Sequence, residues 1–142
     1  MPLSNGRKMF LLGTIDRVDV CEEDDRVLMR VIDYKSGAKK FEMEDFYYGL
    51  ELQLIIYMNA AEEIYHKETE KEVTPAGVFY YQLQDPIVKA DHAEEESLLK
   101  NFRMSGMANS DGDILNKLEA PDGDFLSMPV RLKKSGEPYK NS

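Results

Sequence analysis

Between Met9 and Val20 the chain reads MFLLGTIDRVDV, and between Val27 and Lys35 it reads VLMRVIDYK. Both stretches are rich in apolar and β-branched residues and predict β-strands, with the acidic CEEDDR between them as a hairpin connection. Side chains alternate faces along a strand, so Leu12, Thr14, Asp16 and Val18 share one face of the first. Val27, Met29, Val31, Asp33 and Lys35 share one face of the second. Each strand therefore carries an acid among largely apolar neighbours.

Over 44–67 the apolar positions Phe46, Leu50, Leu54, Tyr57, Met58, Ala61, Ile64 and Tyr65 recur at helical spacing, with acids in the first turn and Gly49 as a weak point. KETEKEVTP reads as a charged loop, and AGVFYYQLQDP (76–86) as a third strand closed by Asp85-Pro86. AEEESLLKNFRM and DGDILNKLEA predict short helices separated at Gly106. GDFLSMPVRL predicts a late strand that Pro129 confines to an edge or bulge. The order β-β-α-β followed by short helices indicates a mixed α/β domain.

The length of 142 residues suits one domain, and no apolar run approaches the roughly 18 residues of a membrane span. MPLSNGRK lacks the apolar segment of a secretory signal, and the single cysteine, Cys21, forms no internal disulfide, so a cytoplasmic setting is expected. The formal net charge of −9 argues against nonspecific binding to nucleic acid. Its distribution is uneven: CEEDD and AEEES are acidic, whereas SGAKK and RLKKSG are basic. Nucleic-acid binding is disfavoured by the total without being excluded.

An acid on an apolar strand face needs a cation, hydrogen bonds or a raised pKa, because burying an unpartnered carboxylate costs several kcal/mol. If the first two strands pair with Asp16 and Asp33 near each other, a hard divalent cation would relieve their repulsion, and Mg²⁺ is the natural choice. Lys35, on the same face as Asp33, could orient a water or stabilise charge developing on a phosphate. A bare D-x-K is also a common strand-end ion pair worth about 0–1 kcal/mol.

Taken together, GTIDRVD (13–19), VIDYKSG (31–37) and GLELQLIIY (49–57) resemble the RecB-type nuclease domain of the PD-(D/E)XK superfamily. The likeness is greatest to the AddB family, components of bacterial ATP-dependent helicase-nucleases that process DNA ends for recombinational repair. It continues through AGVFYYQLQDP and GDFLSMPVRLKKSGE and so spans nearly the whole chain. The resemblance implies a restriction-endonuclease-like core, a mixed central sheet flanked by helices, here partial. It implies an Mg²⁺- or Mn²⁺-dependent DNA exonuclease, with DNA as substrate and an AddA-like subunit as partner. The family's two metal-binding acids match Asp16 and Asp33, its catalytic lysine matches Lys35, and the Tyr34 carbonyl would be a further metal ligand. Its Q-x-x-x-Y motif matches Gln53 and Tyr57, four apart and on one helix face. Arg17, Lys39 and Lys40 are candidate DNA contacts or, equally, solvated surface charge.

Two features depart from the family. The family's histidine-bearing helix before the first strand has no counterpart in the eight residues before Met9. Cys21 matches none of the four cysteines that hold a 4Fe-4S cluster in AddB proteins. The expectation is that residues 1–142 are one nuclease-like domain, an internal fragment of a larger subunit, without the cluster and weak or inactive alone. The alternative reading is a nuclease-like module that binds DNA or a subunit without its own catalysis. SDGD (110–113) lacks the later ligands of a calcium loop, and His66 and His92 lack metal-ligand partners at sensible spacing.

Overall fold

The computed structural model describes residues 12–37, 41–49, 52–83, 102–118 and 127–128. Four strands form one mixed sheet in the order β1-β2-β3-β4: β1 Arg17–Glu22, β2 Arg26–Lys35, β3 Glu72–Gln82 and β4 Ser105–Ala108. The β1–β2 and β3–β4 pairs are antiparallel, whereas β2 and β3 run parallel. A parallel pair requires a crossover, and the connection here carries α1 (Met43–Tyr47) and α2 (Gln53–Thr69). A third helix, α3 (Gly112–Leu118), follows β4. None of the described helices is long and apolar enough to cross a membrane.

β2 is the axis of the fold. Val27, Leu28, Met29, Val31, Ile32 and Asp33 are all buried, as befits a central strand covered on both faces. On one face Met29 and Val31 meet Val73, Val78 and Tyr80 of β3, and α2 closes over them with Leu54, Met58 and Ala61 at helical spacing. On the other face Ile32 and Phe79 pack with Met104, Leu115 and Met128, and Leu28 and Ala76 pack with Ile114. The sheet thus separates two apolar layers, and the parity of each β2 residue decides which layer it joins.

Asp19 of β1 ties this frame together across chain distance. It takes Arg17 in a two-point contact at 2.7 and 3.1 Å and Arg30 of β2 at 2.7 Å, while Arg30 also donates to the Leu118 carbonyl at the end of α3. Burial raises the Asp19 carboxyl and is the largest single effect on it. Hydrogen bonds and charge from Arg17 and Arg30 together outweigh that and hold it below the usual carboxylate value.

Several sequence expectations shift. The first strand begins at Arg17 and runs through Cys21 and Glu22, so Leu12, Thr14 and Asp16 precede it, and the turn is confined to residues 23–25. The single helix expected over 44–67 is two, because Gly49 adopts a φ of +73° that a helix excludes and α2 restarts at Gln53. β3 starts at Glu72, ahead of the expected position. It accommodates Pro75 where a bulge opposite Met29/Arg30 interrupts the β2 ladder and where β4, paired only from Gly77 to Tyr80, no longer borders it. Residues 102–104 are not helical, and SGMA is β4 rather than a separator. Gly106 permits this: a Cβ there would collide with the Val78 carbonyl oxygen and lie 2.8 Å from the Phe79 Cα. The late strand over 123–132 and the helix over 93–101 lie outside the described residues, save that 127–128 form a bend.

Two expectations follow from this packing. Gly106→Ala should destabilise the fold by about 2 kcal/mol or more, because the contact is with backbone and β4 must move away, as a denaturant midpoint would register. Asp19 has a folded pKa below its unfolded value of about 3.9. Its contribution is therefore fully present above that value and is lost as pH falls through it towards the folded pKa. Asp19→Asn should lower the thermal midpoint at pH 7 and flatten its decline below pH 4.

Candidate active site

Asp33 lies two residues before the end of β2 and is 4% exposed, the one buried charged side chain among the described residues. An ionised carboxylate at that depth needs partners. Lys35, on the same strand face, places Nζ 2.6 Å from Asp33 Oδ2. Gln53, in the first turn of α2, donates Nε2 towards Asp33 Oδ1 at 3.4 Å and accepts from Lys35 Nζ through Oε1 at 3.1 Å. Its Nε2 also donates to Tyr57 Oη at 2.9 Å. One amide thus reads the pair by complementarity, its carbonyl towards the ammonium and its NH₂ towards two oxygens.

The break at Gly49 matters for this geometry. It starts α2 at Gln53, so that Gln53 and Tyr57, one turn apart, both meet the end of β2, while Leu54 and Met58 fall into the apolar layer. Tyr80, the register partner of Asp33 on β3, puts its ring centroid 5.2 Å from Lys35 Nζ, within cation–π range. Phe41 packs against that ring at 6.5 Å. The segment before β1 crosses Tyr57: a Cβ on Gly13 would lie 3.4 Å from its ring.

Asp16 immediately precedes β1. Continuing the Arg17↔Ile32 register by one residue sets it across from Asp33. Its Oδ2 accepts the Tyr34 amide N–H at 2.9 Å, and unlike Asp33 it is exposed. The N–H and C=O of one strand residue point to the same neighbour. The Lys35 carbonyl turns to β3, where it accepts from the Leu83 N–H at 2.9 Å, and the Tyr34 N–H turns to Asp16. The Tyr34 carbonyl therefore faces the Asp16 side as well.

The donors available to a cation are the carboxylates of Asp16 and Asp33 and the Tyr34 carbonyl, all hard oxygens. No group of three or more His, Cys, Asp or Glu side chains gathers among the described residues. This set fits Mg²⁺, which binds through one or two carboxylates and keeps several waters. Asp33 Oδ2 adds to the fit: it is buried, contacts the Lys35 ammonium, and has no aligned hydrogen bond.

Of the residues expected from sequence, Asp33, Lys35, Gln53 and Tyr57 form one continuous chain of contacts, and Asp16 joins through the Tyr34 amide. Arg17 does not join them. It lies on the opposite sheet face, half-exposed, where the Asp19 hydrogen bonds raise its pKa further above the ordinary guanidinium value. Lys39 and Lys40 lie outside the described residues. His66 Nδ1 is 2.8 Å from the Lys71 carbonyl at the end of α2. Tyr80 and Gly13 were not singled out from the sequence. Strand parity would have found Tyr80 only once the β2–β3 register was known.

Comparison with known proteins accords with this geometry. Residues 2–128 match the PD-(D/E)XK nuclease superfamily. The chain is 43% identical over 140 residues to the B-type subunit of the ATP-dependent helicase/deoxyribonuclease of Thermoanaerobacter sp. (strain X514), covering 94% of this chain and 12% of that protein. It is 37% identical over 145 residues to the protein of the same name from Alkaliphilus oremlandii, covering 99% of this chain and 13% of the relative. The chain therefore spans about an eighth of the length of the curated relatives it matches. A buried strand-end acid, a lysine two residues on and a match over residues 2–128 lead to one assignment: the chain belongs to the PD-(D/E)XK nuclease superfamily.

Proposed function

We propose that this chain is the metal-dependent DNA exonuclease domain of an AddAB-type helicase-nuclease, cytoplasmic and acting on DNA ends in double-strand break repair. On this reading it works alongside an AddA-like partner as one nuclease-like unit of a larger protein. The observation that carries the proposal is the Asp33–Lys35–Gln53 constellation, which holds a buried carboxylate, an ammonium and an amide within hydrogen-bonding reach at a sheet end. The similarity to proteins named as helicase/deoxyribonuclease components supports DNA as the substrate.

Asp16, Asp33 and the Tyr34 carbonyl would hold Mg²⁺ or Mn²⁺. When bound, such an ion supplies Lewis-acid charge and lowers the pKa of a coordinated water. The chain's own residues do the rest. Asp33, held in place by Gln53, keeps one carboxylate oxygen free of aligned hydrogen bonds. Lys35 positions a donor where charge develops on a phosphate oxygen, and burial makes that donor count for more than it would in water. Tyr80 beneath the ammonium and Gln53 beside it restrict where the lysine can swing, so its head group is preorganised. Tyr57 fixes the Gln53 amide in the orientation that serves both charges.

In the full-length protein carrying this chain, Lys35→Ala should reduce metal-dependent cleavage of linear DNA by about 10²–10³-fold, mainly in kcat, with DNA binding retained. Wild-type cleavage by that variant would remove Lys35 from the mechanism. If Asp16→Ala, Asp33→Ala and Lys35→Ala all leave cleavage unchanged, the chain is a binding or subunit-contact module instead. Gln53→Ala, which removes a group touching both charges, should cost about 10–100-fold in activity or metal affinity. A metal titration of cleavage rate separates those two effects.

A further inference from the structure

The residues flanking the proposed acids face the other way. Arg17 follows Asp16, and Tyr34 separates Asp33 from Lys35, so both side chains lie on the sheet face opposite the acid–lysine pair. There they line an open pocket of about 400 Å³ with Arg30, Tyr81, Leu83 and Met104. We propose that this pocket binds one nucleotide of a single-stranded DNA, its base against the Tyr34–Tyr81 pair and its phosphate at Arg17.

Size, charge and surface chemistry point to the same occupant. The volume lies within the range of small-ligand pockets and suits one nucleotide. In a chain of net charge −9, the described residues that line this site include two arginines and no acid. Asp19, which pairs with both, stands outside the lining. It contacts Arg30 at 2.7 Å independently of Arg17, so Arg17 can turn to a phosphate without leaving Asp19 unpaired. Tyr34 and Tyr81 meet edge to face, with centroids 5.9 Å apart and planes at 81°. That arrangement engages the face of one ring only and leaves flat aromatic surface for a base. Leu83, 60% exposed, and the buried Met104 supply the apolar wall.

Position gives the pocket its use. Because residues 16 and 17, and 33 and 34, alternate between faces, the pocket backs onto the acid–lysine pair across the thickness of one strand. A flexible single strand rounding the end of β2 could reach both, with the pocket setting which phosphodiester lies at Lys35. Double-stranded DNA is too stiff to make that turn. This use rests on the nuclease reading above, but binding in the pocket does not require cleavage.

The test uses the 142-residue chain in EDTA, so that no cleavage occurs, titrated with a fluorescein-labelled thymidine decamer and then competed with thymidine monophosphate or inorganic phosphate. Tyr81→Ser should weaken decamer binding about tenfold or more, and Tyr81→Phe should restore it, as stacking on an aromatic face requires. Leu83→Glu, at the exposed rim and so without consequence for the fold, should weaken binding to a similar extent by repelling the phosphate. Ile64→Ala, exposed on α2 and so on the other side of the sheet from the pocket, should leave affinity unchanged. Equal affinity for wild type and Leu83→Glu, or inorganic phosphate competing as well as thymidine monophosphate, would overturn the proposal. So would retention of wild-type affinity in Tyr81→Ser. None of these outcomes bears on cleavage, which the Lys35→Ala experiment decides separately.

Discussion

A carboxylate buried at the end of the central strand is the constraint around which this molecule is organised. Asp33 is 4% exposed, and leaving its charge unpaired there would cost several kcal/mol, a large part of the stability of any domain this size. Lys35 answers the charge from the same strand, and Gln53 answers both from α2. The start of α2 is therefore placed by polar contacts at one end, as its Leu54, Met58 and Ala61 stripe is placed by the apolar layer along the rest. Moving the helix by one turn would take Gln53 from the Asp33–Lys35 pair and shift Leu54, Met58 and Ala61 from their places in the apolar layer.

The second organising feature is the two-sidedness of β2. Alternate residues serve different layers, so the strand end that presents Asp33 and Lys35 to α2 presents Ile32 and Tyr34 to the far side. Its parallel partner β3 follows the same rule, with Tyr80 under the lysine and Phe79 and Tyr81 on the far side. Two chemically distinct surfaces thus share one strand end. A bulge near Met29 and Arg30 and the close approach of Gly106 absorb the irregularities needed for this register.

Electrostatics divides along the same line. Near Asp33, the Lys35 ammonium offsets the buried carboxylate, and the exposed Asp16 across the strand pair leaves an excess of one negative charge. On the other face Arg17, Asp19 and Arg30 leave a positive excess of one charge, pinned to α3 through the Leu118 carbonyl. The net charge of −9 describes neither neighbourhood. A total charge is a sum over a surface, whereas recognition depends on the few groups within a Debye length of the contact.

By itself the sequence determined the existence of β1, β2, β3, the α2 segment and α3, because apolar periodicity reflects which faces must leave water. Its Asp33, Lys35, Gln53 and Tyr57 were legible as a set through the family's motif spacing, and parity put Asp33 and Lys35 on one face. Tertiary structure decided what periodicity leaves open. The helix over 44–67 is broken because the backbone at Gly49 takes a positive φ, which no hydropathy pattern encodes. SGMA became β4 because Gly106 alone lets two backbones come that close, a requirement visible only when Val78 and Phe79 are in place. Tyr80 and the Arg17–Asp19–Arg30 cluster emerged from register, which couples residues far apart in the chain. Register is set by the summed packing of both sheet faces, and local sequence carries only one side of each pair.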